Sequence, residues 1–131
     1  AANGDVVCFP SDTGRTLRIN CAPGVPEDEQ VSLIGPSYPG KNKWQNGFLG
    51  RDGAVYGLPC DADAVIRISA EMEVTTIGLT GGGSFGEGNE KWEGGVMAKS
   101  GVIYAMPQQA ERVLRIDPGP AMSDCCCFPD S

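Results

Sequence analysis

Residues 44–69 superpose without gaps on residues 92–117 at a shift of 48. Nine of the 26 aligned positions are identical: Trp44/Trp92, Gly47/Gly95, Gly53/Gly101, Tyr56/Tyr104, Pro59/Pro107, Ala62/Ala110, Val65/Val113, Arg67/Arg115 and Ile68/Ile116. A partial third copy precedes them at a shift of 49, where Gly4, Pro10, Asp12, Arg18 and Ile19 fall on Gly53, Pro59, Asp61, Arg67 and Ile68. The segment Val31–Gly35 also reads like Val74–Gly78. A period of roughly 40–50 residues restricts the fold to architectures that stack one supersecondary unit on the next.

Each unit resolves into four short apolar segments separated by turn residues. Gly47–Gly50 runs into Arg51-Asp52-Gly53, and an Asp-Gly pair between apolar runs is a hairpin signal. Ala54–Leu58 is stopped by Pro59, Ala64–Ile68 follows the turn Cys60–Asp63, and Glu71–Ile77 is rich in β-branched residues. Gly (19) and Pro (10) supply 29 of the 131 residues, too much punctuation for a helical bundle. Four antiparallel strands per period predict an all-β chain of about 2.5–3 blades of the β-propeller kind. Residues 1–38 form a partial first blade, 39–86 a second, and 87–131 a third with a cysteine-rich tail, in which Met122–Phe128 is the candidate fourth strand. The segments Gly35–Lys43 and Leu79–Lys91 read as surface loops between blades. Closed propellers need at least about four blades, so the array is expected to be open or completed by a partner. Its exposed edges invite pairing with protein subunits of a larger complex or with copies of itself.

Charge and composition exclude whole classes of function. Ten Lys and Arg against 17 Asp and Glu give a net charge of −7, the wrong sign for a phosphate backbone, so no nucleic acid is expected as a partner. No apolar run approaches the ~20 residues of a membrane helix, which predicts a chain that does not span a membrane by helices. The absence of histidine removes Ser-His-Asp and Cys-His triads and every imidazole metal ligand. No nucleophile, base and oxyanion donors can be grouped from the remaining residues, so the chain reads as a non-enzyme without cofactor or metal. Six cysteines, Cys8, Cys21, Cys60, Cys125, Cys126 and Cys127, are candidate disulfide partners and point to an oxidising compartment. Six thiols allow 15 connectivities and the spacing selects none. The opening Ala1-Ala2-Asn3, without methionine, fits removal of a targeting segment.

Several motifs invite a functional reading and each has a plainer one. Gly81-x-Gly83-x-x-Gly86 matches a dinucleotide fingerprint, but a Trp92 unit rather than a helix follows it, so a flexible connection is favoured. Trp44, Trp92, Tyr56 and Tyr104 recur at equivalent places and are the candidate partner or ligand contacts, although repeated aromatics more often pack one blade on the next. Arg18, Arg67 and Arg115 hold one position in three copies and read as a series of ion pairs, with Asp12, Asp61 or Glu111 as candidate acids. Asp61-x-Asp63 offers two oxygen ligands but lacks the rest of a calcium loop, and Glu27-Asp28-Glu29 reads as a solvated insertion.

The string from Lys91 to Asp117, Lys-Trp-x-Gly-Gly-Val followed by Ile-Tyr-x-x-Pro and Val-Leu-x-Ile-Asp, resembles propeller-like repeats abundant in dinoflagellates and related algae, and residues 43–69 match it more loosely. The chain is also similar, more distantly, to five-bladed lectin propellers, whose inter-blade loops bind amino sugars. It reads Asn42-Lys43-Trp44 and Glu90-Lys91-Trp92 where those lectins carry Asp-Asn-Trp. The algal resemblance, the acidic charge and the cysteines together imply an extrinsic subunit on the lumenal side of a photosystem or light-harvesting supercomplex, in the thylakoid lumen. Secretion is the alternative location. A carbohydrate-binding lectin-like module is the alternative function.

Overall fold

Among residues 1–122, which the computed structural model describes, ten short strands form three antiparallel sheets, none of them closed. The first sheet joins β1 (Val6–Cys8), β2 (Thr16–Ile19) and β3 (Val31–Ile34) in chain order. The second joins β4 (Trp44–Leu49), β5 (Val55–Pro59), β6 (Val65–Ile68) and β7 (Val74–Ile77). The third joins β8 (Trp92–Met97), β9 (Ile103–Pro107) and β10 (Leu114–Ile116). Glu27–Glu29 forms a single 3-10 turn with no buried residue, as a solvated insertion requires. The fourth strand expected over Met122–Phe128 lies, beyond Met122, outside the described residues.

The repeat fixes matching turns and matching irregularities. Gly53 and Gly101, each with φ near +80 to +90°, close the hairpin turns at Gly50 and Ala98 through N–H···O bonds of 3.0 and 2.9 Å. Gly4 does the same before β1, with φ +90° and a bond to Ala1. These are left-handed positions that a side chain disfavours. A bulge interrupts the register of β4 on β5 between Gln45 and Gly47, and of β8 on β9 between Trp92 and Gly94. Beside it the backbones approach closely: a Cβ on Gly47 would sit 2.9 Å from the Tyr56 carbonyl, and one on Gly95 2.6 Å from the Tyr104 carbonyl. The Gly47/Gly95 identity therefore records a contact that only glycine permits.

Burial runs between sheets rather than within one. Trp44, Val55, Ile66, Ile68 and Val74 on one face of the second sheet pack with Val7, Phe9 and Ile34 of the first. Ala54, Tyr56, Leu58 and Val65 on its other face pack with Trp92, Ile103, Ala105, Leu114 and Ile116 of the third. All five residues of β5 are buried, because that strand is covered from both sides. Period-two alternation then assigns successive side chains to different neighbours, which is why Val55 and Tyr56 belong to different cores.

No disulfide joins Cys8, Cys21 and Cys60 to one another among the described residues: the first two are exposed free thiols and the third is buried. The expected staple to Cys125, Cys126 and Cys127 falls on residues outside the described ones. Cys60 is enclosed where the second and third sheets meet. Its Sγ accepts from Asn42 Nδ2 at 3.2 Å and donates to Glu93 Oε1 at 3.7 Å. Burial first, then the Asp61 and Glu93 carboxylates, push its thiol pKa up to about 11, so it stays protonated and unreactive near neutrality.

Candidate functional site

The two connections that read as surface loops each end in a buried lysine. Lys43 and Lys91 are both only 4% exposed. Lys43 Nζ donates to the carbonyls of Thr13 (3.0 Å) and Gly40 (2.7 Å), and Lys91 Nζ to those of Asp61 and Gly88 (both 3.1 Å). One carbonyl of each pair belongs to the preceding unit, so the ammonium clips two units together. Around it the backbone repeats the same joint. The Lys43 and Lys91 amides donate to Ser11 and Cys60 of the preceding unit, and the lysine carbonyls receive Cys60 and Gln108 of their own. Enclosing an ammonium is costly unless its donors are met, and here each finds two carbonyls.

Two of the three acids expected to pair with the arginines belong to this joint instead, while the third, Glu111, borders the cleft beside Trp92. Asp12 accepts the Asn42 amide at 2.8 Å and Asp61 the Glu90 amide at 2.7 Å, where Asn42 and Glu90 adopt φ near +50°. The arginines take other partners: Arg18 pairs with Asp5 at 2.6 Å, Arg67 with Asp52 at 3.1 Å, and Arg115 with Asp117 at 3.0 Å. In the second sheet Tyr56 completes the group, donating its hydroxyl to Asp52 at 2.7 Å and receiving Arg67 Nε at 3.2 Å. Ser100 stands where the second unit has Asp52, which leaves Arg115 to the more exposed Asp117. Asp117 also receives Arg51 of the second unit at 2.6 Å. Burial raises the Asp5 and Asp52 carboxyls, but their guanidinium, hydroxyl or amide donors outweigh it and hold both below the usual range. Asp117 is lowered chiefly by Arg51 and then by Arg115. These are satisfied structural pairs.

Trp44 and Trp92 are buried at equivalent places, and their indole N–H groups donate to the carbonyls of Ala64 (2.7 Å) and Arg112 (2.8 Å). Each is met edge-on by an aromatic from the preceding connection, Tyr38 at 5.1 Å and Phe85 at 5.7 Å. Phe85 is thus a core residue inside a glycine-rich segment, anchored by its N–H to Asp63 Oδ1 at 3.1 Å. Gly81, Gly83 and Gly86 all have positive φ and lead into strand β8. Beside each tryptophan lies an open cleft, about 540 Å³ by Trp44 and about 530 Å³ by Trp92. Lys43, Ala62 and Asp63 border the first cleft, and their counterparts Lys91, Ala110 and Glu111 the second. Tyr56 is enclosed and Tyr104 half-buried. No group of three or more acidic or cysteine side chains suited to a metal occurs among the described residues. No helix there is long and apolar enough to cross a membrane.

The clearest departure from a finished surface is at the two ends of the stack. Leu58 and Val65 of the second sheet are buried against the third, whereas their counterparts on the third sheet, Met106 and Val113, are exposed. Leu58 is 0% exposed and Met106 45%. At the other end Val55 and Val74 of the second sheet are covered by the first, while Val6 and Val31, their counterparts on the first sheet, are open; Val74 is 7% exposed and Val31 55%. Burying an aliphatic side chain of this size is worth about 1.5–3 kcal/mol, so each end forgoes several such terms. No protein-family model, curated protein or solved structure matches the chain.

Proposed function

We propose that this chain is a non-catalytic interaction subunit built of propeller-like repeats, which binds protein partners through the two end faces of its stack. The observation that carries the reading is the contrast between equivalent positions: the residue types that are buried at the two internal junctions stand open at the ends. Contiguous apolar surface of this kind marks interaction sites on soluble domains. The buried polar groups are consistent with a structural role at the junctions, where the lysines, arginines and aspartates are engaged with one another or with backbone. The algal resemblance makes lumenal subunits of a photosystem or light-harvesting complex the first partners to test. The test is native purification of the complex, followed by binding of the purified partner to wild type, Met106→Glu and Leu33→Glu. At least a tenfold loss with one of the two substitutions is expected. Binding indifferent to both would sink the proposal.

A carbohydrate-binding role is the second reading, favoured by the two equivalent clefts beside Trp44 and Trp92. Saturable sugar binding on a glycan array, lost when the cleft-edge Asp63 and Glu111 are replaced by alanine, would favour it. Silence on the array would remove it.

A further inference from the structure

The two end faces are the two halves of a junction that the chain already makes twice. At the junction between the second and third sheets, Tyr56, Leu58 and Val65 meet Ile103, Leu114 and Ile116. The free face of the third sheet carries Tyr104, Met106 and Val113 at the positions of the first three. The free face of the first sheet carries Val6, Leu17 and Ile19 at the positions of the second three, since these fall on Val55, Ile66 and Ile68 at the shift of 49. Polar features continue the match. Arg51 of the second unit reaches across its junction to the Ser100 and Pro118 carbonyls, and its counterpart on the third unit, Lys99, is exposed at the rim of the free face.

We propose that two copies of this chain associate head to tail, the third sheet of each lying on the first sheet of the other, to close a ring of six sheets. This deepens the reading as an interaction subunit and rests on it, naming a second copy as a partner. The two faces differ in composition and each carries the half of the internal junction that the other lacks, so the contact is heterologous, giving a ring if the rotation closes. Six sheets lie within the range of about four to eight blades over which such stacks close. The net charge of −7 per chain opposes pairing, an opposition that salt near 0.15 M confines to about 8 Å.

Sedimentation equilibrium of the 131-residue chain at that ionic strength tests the proposal. The expected species is twice the chain mass of 13.7 kDa, about 27 kDa. Met106→Glu alone and Val31→Glu alone should each give a single-chain species with an unchanged far-UV spectrum, because both residues are already exposed. Mixed in equal amounts, the two variants should regain a two-chain species, since one of the two junctions then keeps both native faces. A monomeric wild type overturns the proposal, as does open-ended growth with concentration. A dimer broken by only one of the substitutions is a face paired with itself and also overturns it. A monomer whose binding to a purified partner still depends on Met106 leaves the interaction reading standing, so the two failures are separable.

Discussion

Thr16 is fully enclosed on β2, and its Oγ1 has no hydrogen-bond partner among the described residues. The equivalent residues of the other two units are Val65 and Val113, so the repeat itself supplies an isosteric β-branched substitute. Thr16→Val removes a desolvated hydroxyl and keeps the shape. An unsatisfied buried hydroxyl costs about 1–3 kcal/mol in proteins, and we expect the variant to gain about 1–2 kcal/mol. For 131 residues, unfolding entropies of about 2.1 cal/mol/K per residue convert each kcal/mol into roughly 4 °C of Tm. With a urea slope near 1.5–2 kcal/mol/M the midpoint should rise by about 0.5–1.3 M with the slope unchanged. Both chains are compared at one protein concentration, because association adds its own stability. Thr16→Ser is the control: it keeps the hydroxyl, loses a buried methyl and should fall by about 1 kcal/mol. The reasoning is refuted if Thr16→Val lowers the midpoint, which would mean that the hydroxyl has a partner in solution.

Lys91→Met keeps the aliphatic stem but leaves the Asp61 and Gly88 carbonyls without their donor; a loss of about 2–4 kcal/mol in urea unfolding is expected, and a loss below about 1 would deny the clip its role. Gly95→Ala should cost about 2–3 kcal/mol because its Cβ meets the Tyr104 carbonyl at 2.6 Å, whereas Gly94→Ala, with open space around it, should cost under about 1. Because Asp5, Asp52 and Asp117 are depressed in the fold, their stabilisation is whole above the unfolded value of about 4 and drains as pH falls through the folded values. A midpoint flat from pH 6 down to pH 3 would contradict those pairs. Cys60 acts at the other end: raised to about 11 against an unfolded thiol near 8.5, it costs stability between those values as pH rises. In native protein at pH 8, a thiol reagent read by peptide mass mapping should mark Cys8 and Cys21 and spare Cys60.

Sheet number, strand order and the hairpin glycines were legible because each leaves a local mark: an apolar run, a proline stop, an Asp-Gly pair. The joints between units were not. Lys43 and Lys91 look like loop charges, since burial of an ammonium depends on carbonyls that another unit presents. A signal was present in their equivalence one residue before the aligned tryptophans. The arginine partners were misassigned for a similar reason. Asp12 and Asp61 stand closer to Arg18 and Arg67 in sequence than Asp5 and Asp52 do, which are 13 and 15 residues away, so proximity favours the wrong set, and only the cross-strand register of Val7 on Arg18 and Tyr56 on Arg67 points to the other. Phe85 was hidden by its glycine-rich surroundings, although it is the sole aromatic between Leu79 and Lys91.

The double covering of β5 bears on how the molecule comes apart. In a single unassociated chain, where each unit touches only its neighbours, stability is distributed as unit terms plus junction terms, and an end unit has one junction to lose while the middle has two. Opening should therefore begin at the first and third sheets and reach Val55–Pro59 last, so that amide exchange draws a gradient along the chain, slowest at its centre.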